Sequence, residues 1–266
     1  MAIGLPLLAF IVCESRAQTD ELGWSGEIYG GEFYDDRRAG AYFAMSQSMA
    51  PGPTFIGEML FERYTDYDFA GLGAHFLWPI GSFGELGLSL SQAWETYEVD
   101  PDLVSNYQTR MLGAEWEFEQ GPFALALQAG KYLKDYSGNE PGYFSADAYF
   151  WGEQRDWYLR ASTRRIADAS LSLIEGYRLF QAYEHAVTAY AGVSRDDLDT
   201  ITPGSADSVY VGAYVDLFST PKTNLSLWFE AAKQEDDTLL TIELNLAFGP
   251  GARTPYITAF GYSLDN

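Results

Sequence analysis

The sequence predicts an all-β protein: a single closed up-and-down antiparallel transmembrane β-barrel of about 14 strands, with roughly 12 to 16 compatible with the pattern. Three observations carry this prediction: side chains that alternate in twos, segments of membrane-crossing length, and connections that alternate between short and long. The stretch 84 to 98, GELGLSLSQAWETYE, shows the alternation most clearly. Leu86, Leu88, Leu90 and Trp94 share one face, while Glu85, Gly87, Ser89, Ser91 and Glu95 share the other. That period belongs to a strand lying between an apolar and a polar medium, whereas a helix would scatter the leucines around its circumference. The run extends about 11 residues before an aromatic closes it, the length a tilted strand needs to cross a bilayer core.

Length and composition fit one large domain. The chain has 266 residues with no linker that would divide it, and its 38 acidic against 16 basic residues exclude a nucleic-acid binder, which needs a basic footprint. An aromatic fraction of 16% with 26 glycines suits crowded strands joined by tight turns. Residues 2 to 13, AIGLPLLAFIVC, form the one long apolar run, too short and too interrupted by Pro6 for a spanning helix. Ser15-Arg16-Ala17 places small residues where a signal peptidase reads, so residues 1–17 are expected to be a signal peptide and 18–266 the barrel, starting at Gln18. No Lys or Arg precedes the apolar core, a departure from the usual leader. The one cysteine, Cys13, lies in this leader, and Val12 beside it does not suit a lipoprotein site. The exported chain would thus carry no disulfide and draw its rigidity from a closed hydrogen-bond ladder.

Taken in order, residues 24 to 34 and 38 to 48 read as a first hairpin around Asp35-Asp36-Arg37. In its second strand Ala41, Phe43 and Met45 oppose Tyr42, Ala44 and Ser46. After Pro51-Gly52-Pro53, Phe55, Met59 and Phe61 oppose Glu58 and Glu62; then Leu72, Ala74, Phe76 and Trp78 oppose Gly71, Gly73 and His75. Beyond the 84 to 98 strand, Leu112, Ala114, Trp116 and Phe118 oppose Thr109, Gly113, Glu115 and Glu117, and Phe123, Leu125, Leu127 and Ala129 form the next apolar face. Ser145, Asp147 and Tyr149 alternate with Phe144, Ala146, Ala148 and Phe150; Arg160, Ser162 and Arg164 alternate with Trp157, Leu159 and Ala161. The stretch 169 to 183 is irregular, because Glu175 shares parity with Leu171 and Leu173, and a bulge or an early strand end near Gly176 would resolve it. Apolar faces return at Val187 to Val193, Val209 to Val215, Leu225 to Phe229 and Leu240 to Phe248.

From the middle of the chain onward, longer connections at 98 to 104, 136 to 141 and 196 to 206 alternate with tight turns such as EQGP and STPK. Membrane barrels place short turns on the periplasmic side with both termini and longer loops outside. About fifteen segments read as strands, one too many for an even count. The doubtful one is 255 to 263, PYITAFGYS, which follows a Gly-Pro-Gly break. Trp78, Trp94, Trp116 and Trp157 fall on the outward parity near strand ends, where indole rings form girdles at the membrane interface. A soluble β-sandwich with core tryptophans is the competing architecture.

Polar side chains gather on the inward parity: Glu58, Glu62, His75, Glu85, Glu115, Glu117, Asp147, Arg160, Arg164, Arg178, Asp216, Glu230 and Glu243. Acids on the third to sixth strands would face arginines on the ninth and tenth. That arrangement would create either a transverse field that selects polar solutes or a set of ion pairs that fills the lumen. Enzymatic chemistry is not expected. His75 has no serine of matching parity on its strand, His185 sits at a strand end on the apolar parity, and both read as structural. No cofactor or metal motif is present, and Arg195-Asp196-Asp197-Leu198-Asp199 lacks the Gly and Glu of an EF-hand loop and reads as a solvated loop.

The mature chain resembles a generic Gram-negative outer-membrane β-barrel of porin-like pattern. A fainter resemblance links YLRASTRR, EGYRLF, YAGVSRDD and VYVGAYVDLF, in that order, to the accessory outer-membrane barrels encoded beside bacterial cellulose synthases. The first resemblance implies a bacterial outer-membrane location, contact with outer-membrane lipid, and insertion by the barrel-assembly machinery. Three functions follow as expectations. The first is a porin-like channel for small polar solutes or ions. The second is a non-conducting accessory barrel, as in exopolysaccharide production or export, and an outer-membrane lipase or protease comes last.

Overall fold

The computed structural model describes residues 22–33, 36–49, 52–100, 103–134, 141–166, 169–183, 185–197, 206–234 and 237–259. The expected signal peptide lies outside the described residues. Strands β1 (Gly23–Phe33), β2 (Asp36–Ser48), β3 (Thr54–Arg63), β4 (Tyr67–Pro79) and β5 (Glu85–Asp100) are followed by β6 (Leu103–Gln120), β7 (Phe123–Lys134), β8 (Gly142–Trp151), β9 (Trp157–Ile166) and β10 (Ala169–Ala182). The wall is completed by β11 (His185–Asp197), β12 (Ala206–Thr220), β13 (Thr223–Gln234) and β14 (Asp237–Gly251). Each strand pairs with its neighbours in sequence, and β1 pairs antiparallel with β14 to close a barrel of 14 strands. Closure pairs the first strand with the last, so the wall has no edge strand.

The period-two pattern sorts side chains to the two surfaces. Leu86, Leu88 and Leu90 are about half exposed on the outside, while Ser89 and Ser91 between them are buried in the lumen. The same exterior carries Phe61, Leu72, Phe76, Val209, Val211, Ile242 and Leu244. Such an unbroken apolar band, facing outward on a wall whose interior is polar, inverts the arrangement of a water-soluble protein. Inside, large and small residues alternate across neighbouring strands. Tyr190 lies opposite Gly212, and Gly192 opposite Tyr210. A Cβ on Gly212 would stand 2.3 Å from the Tyr190 ring, and one on Gly192 would stand 2.5 Å from Tyr210, so the bare backbone is what lets each ring lie flat on the wall.

Strands of about 4.8 Å spacing and about 40° tilt give this 14-membered ring a circumference of about 88 Å and a backbone diameter of about 28 Å. Two facing walls of side chains fill about 10 Å, which leaves roughly 18 Å of width for something else.

Part of that width is taken by the chain itself. The segment 255 to 263, the doubtful fifteenth strand, does not join the sheet: residues 252–259 turn into the lumen, and 260 to 263 lie outside the described residues. The turn uses Gly249 and Gly251, whose φ angles of 117° and 94° lie in the left-handed region open to glycine. Three further expectations are corrected. The expected bulge or early strand end near Gly176 is absent, because β10 pairs in unbroken register with both neighbours and simply turns Leu171 and Leu173 inward with Glu175. The expected loop 98 to 104 is strand on both sides, with a register shift between Glu98 and Asp100. Arg195, Asp196 and Asp197 belong to the end of β11 rather than to a solvated loop.

Candidate functional site

The C-terminal segment leaves β14 beside β1 and runs across the termini-side mouth of the lumen. Its first hold is on β2, where the Arg253 amide donates to Ser46 Oγ at 2.8 Å. The Arg253 guanidinium then grips two carboxylates: Nη1 donates to Glu85 Oε1 at 2.8 Å, and Nη2 donates to Glu85 Oε2 and, at 2.9 Å, to Glu117 Oε2. Two parallel contacts to one carboxylate match the fork of a guanidinium. Burial opposes the charge on Arg253, but Glu117 and Glu85 outweigh it and push its pKa above the ordinary arginine value.

Further along, the Tyr256 amide donates to Glu117 Oε1 and its hydroxyl to Glu119 Oε2, both at 2.9 Å. The Tyr256 ring packs 5.3 Å from Tyr149 of β8, which stands seven strands from β1 and so half way round the ring. The Ala259 amide ends the path on Glu58 Oε2 at 2.8 Å. Thr254, Ile257 and Ala259 are buried along this crossbar.

Beneath it lies a wall of paired charges. His75 is sandwiched between two carboxylates, with Nδ1 at 2.7 Å from Glu115 Oε2 and Nε2 at 2.9 Å from Glu58 Oε2, and the Tyr42 hydroxyl donates to Glu58. Arg38 pairs with Glu62 and stands 3.6 Å from Glu243, while the Tyr29 hydroxyl donates to Glu62 at 2.6 Å. Arg160 bridges Asp147 at 3.4 Å and Glu175 at 3.5 Å on the strands either side of it. Among the described residues, eleven acids are buried against three buried arginines and one buried histidine. Several oxygens in this wall have no hydrogen-bond partner among the described residues: Glu115 Oε1, Gln128 Oε1, Ser145 Oγ and Asp147 Oδ1.

The wall of β8 to β13 has a different character. Trp151, Tyr158, Tyr177, Tyr190, Tyr214 and Trp228 line it on consecutive strands, with Tyr158 and Tyr177 stacked at 4.2 Å and 9°. Tyr177 continues to Tyr190 at 5.3 Å, Tyr190 to Tyr214 at 5.5 Å, and Tyr214 to Trp228 at 5.8 Å. Because the rings cover one another's faces, this belt is packing rather than an open stacking platform. At its β13 end, Trp228 Nε1 donates to the Tyr190 hydroxyl, which donates to Glu230, both at 2.6 Å.

Of the inward charges expected from the sequence, Glu58, Glu62, His75, Glu85, Glu115, Glu117, Asp147, Arg160, Arg164, Asp216, Glu230 and Glu243 all lie on the lumen parity of their strands. Arg178 does not. It lies on the outer face of β10 near the tight turn and pairs with Asp156 at 3.0 Å, because Leu171 and Leu173 occupy the inward parity that their hydrophobicity seemed to deny them. The expected opposition of acids and arginines across the lumen is also replaced, since Arg160 is neutralised by its own neighbours and the acidic wall has His75, Arg38 and Arg253 of its own. Arg38 could have been found from its parity with Tyr42 and Ser46. Arg253 could not, because it lies beyond the last strand and no strand period applies to it.

Trp78 and Trp94 are exposed on the outer surface at 44% and 41%, and Trp116 and Trp157 are partly exposed there. Trp94 lies six residues inside the end of β5, so it marks where the apolar face stops rather than where the strand stops. His185 is exposed and its Nδ1 lies 2.8 Å from the Asp216 carbonyl. Among the described residues no group of three or more His, Cys, Asp or Glu is placed to hold a metal ion.

The chain is a closed antiparallel barrel with a polar, internally occupied lumen. Solved structures similar to it include the beta domain of the Bordetella autotransporter BrkA, at 15% identity over 88% of this chain and 100% of that chain with a TM-score of 0.39. A mutant porin of Rh. blastica is similar at 12% identity over 86% of this chain and 99% of that chain, TM-score 0.43. The translocator domain of the autotransporter NalP from Neisseria meningitidis gives 12% identity over 90% of this chain and 91% of that chain, TM-score 0.38. No protein-family model and no curated protein matches the sequence.

Proposed function

We propose that this chain is an integral outer-membrane barrel held closed at rest by its own C-terminal segment. The membrane placement is supported by the apolar exterior of a closed wall, whose backbone is satisfied without water. Trp78, Trp116 and Trp157 near the termini-side mouth suit the headgroup level on the periplasmic side. The leader at residues 1–17 would direct export, and the alternating strand TLLTIELNLAF would present itself to the barrel-assembly machinery.

The observation that carries the closed state is the crossbar of residues 252–259, anchored on β2, β3, β5 and β6. It favours a non-conducting barrel over a constitutively open porin-like channel. The charged groups serve packing and recognition of the segment, and no catalytic role is assigned to them.

Two measurements test this. Fractionation of the chain expressed with its leader in a Gram-negative host should place it in the outer membrane, with heat-modifiable gel migration as the sign of a folded barrel. In planar bilayers the purified full chain should insert without stable conductance. A protein that stays soluble without detergent refutes the membrane placement, and steady conductance steps from the unaltered chain refute the closed state.

A further inference from the structure

Arg253 is the one guanidinium that the C-terminal segment contributes to the lumen wall among the described residues, and it lands on a surface with far more carboxylates than cations. Eleven acids are buried in the described chain against three arginines and one histidine. Its two partners, Glu85 and Glu117, lie on neighbouring strands at the lumen mouth, directly opposite one another in the register. Below them, Glu115 keeps one oxygen on His75 and, among the described residues, leaves Oε1 without a partner. Asp147 likewise keeps one oxygen on Arg160 and leaves Oδ1 without one among those residues. Both side chains are more than nine-tenths buried. A buried carboxylate oxygen without a donor is costly, and the ligand that relieves it is a cation or a donor-rich solute.

The segment is also built to be separable from the wall. It contributes no strand to the sheet; it is held by polar contacts from the Arg253, Tyr256 and Ala259 amides and from two side chains, and by packing of Ala252 and the Tyr256 ring against the lumen wall. The ring is closed by β1 and β14 before the segment begins, with Phe248 paired to Gly26. Removing the segment therefore breaks no ladder bond.

We propose that residues 252–259 are a displaceable plug and that the acidic wall beneath, from Glu85 and Glu117 to Glu115 and Asp147, is a path for small cations. In the closed barrel Arg253 occupies the entry of that path. The inference rests on the membrane placement proposed above and extends it: acidic walls of a lumen about 28 Å in backbone diameter favour cations once the crossbar is gone.

The test compares the full chain with a chain ending at Gly251, both purified in detergent, checked for heat-modifiable migration, and placed in planar bilayers under a KCl gradient. The shortened chain should give stable conductance steps with a reversal potential displaced toward the potassium equilibrium value, and Glu85→Gln with Glu117→Gln in that chain should move it back toward zero. If the shortened chain does not fold, Arg253→Ala in the full chain takes its place and should give frequent openings of the same selectivity. Silence of a folded, inserted barrel lacking the segment or the Arg253 side chain overturns the proposal, as does a chloride-selective current. Failure to reach the outer membrane in the fractionation experiment refutes instead the placement on which the inference rests.

Discussion

Changing Arg253 to Ala should loosen the C-terminal segment by an amount that can be estimated. The guanidinium makes three charge-assisted contacts with Glu85 and Glu117. Its side chain is 18% exposed, against 13% for Glu85 and 3% for Glu117, so the cluster is mostly withdrawn from water. Removing one partner of a buried ion pair costs about 3–5 kcal/mol, largely because the remaining charge is left unpaired. Partial exposure puts this case at the lower end, about 3 kcal/mol, and at about 1.4 kcal/mol per tenfold the balance between seated and released segment shifts roughly 100-fold.

A cysteine at Ile257 reads this balance directly, because Ile257 is buried in the seated segment and the chain's one natural cysteine, Cys13, falls in the expected leader. Labelling by a membrane-impermeant maleimide should be slow in Ile257→Cys alone and about 100-fold faster when Arg253→Ala is added. Arg253→Lys should fall between, since an ammonium cannot reproduce the two-pronged grip on Glu85. A labelling rate that Arg253→Ala leaves within ~3-fold of the parent would show that this ion cluster does not hold the segment.

Three other outcomes follow from the wall. Leu88→Arg, which puts a charge on the apolar exterior, should destabilise the barrel by roughly 2–4 kcal/mol in urea titrations in lipid vesicles if it lies near the midplane; no measurable loss would mean that the face does not meet lipid. His75→Ala strips Glu58 and Glu115 of their shared partner and should cost about 3–5 kcal/mol, seen as a lower unfolding midpoint, whereas an unchanged midpoint would mean that the cluster contributes no net stability. Gly212→Ala drives a methyl into the Tyr190 ring and should cost about 1–3 kcal/mol, a loss that Tyr190→Ala in the same chain should reduce; additive losses would contradict the close approach.

The sequence by itself determined which way each side chain points on nearly every strand, because alternation is a local property of extended backbone and needs no knowledge of the partner. From Leu86 to Glu95 and from Thr241 to Phe248 the two faces could be assigned residue by residue, which led to about 14 strands within a range of roughly 12 to 16, and the closed ring has 14. It failed on β10, where Leu171 and Leu173 lie buried on the inward face beside Glu175, and parity suggested a bulge that pairing does not contain. Parity also assigned charges to the lumen without saying which of them pair. That choice was made by register and curvature, which set His75 between Glu58 on the adjacent β3 and Glu115 on β6, two strands away across Ser89 of β5. Most of all, only the tertiary structure decided the fate of the C-terminal segment. Arg253 and Glu85 are 168 positions apart, and no periodicity in either stretch could have announced that closing the ring would bring them together.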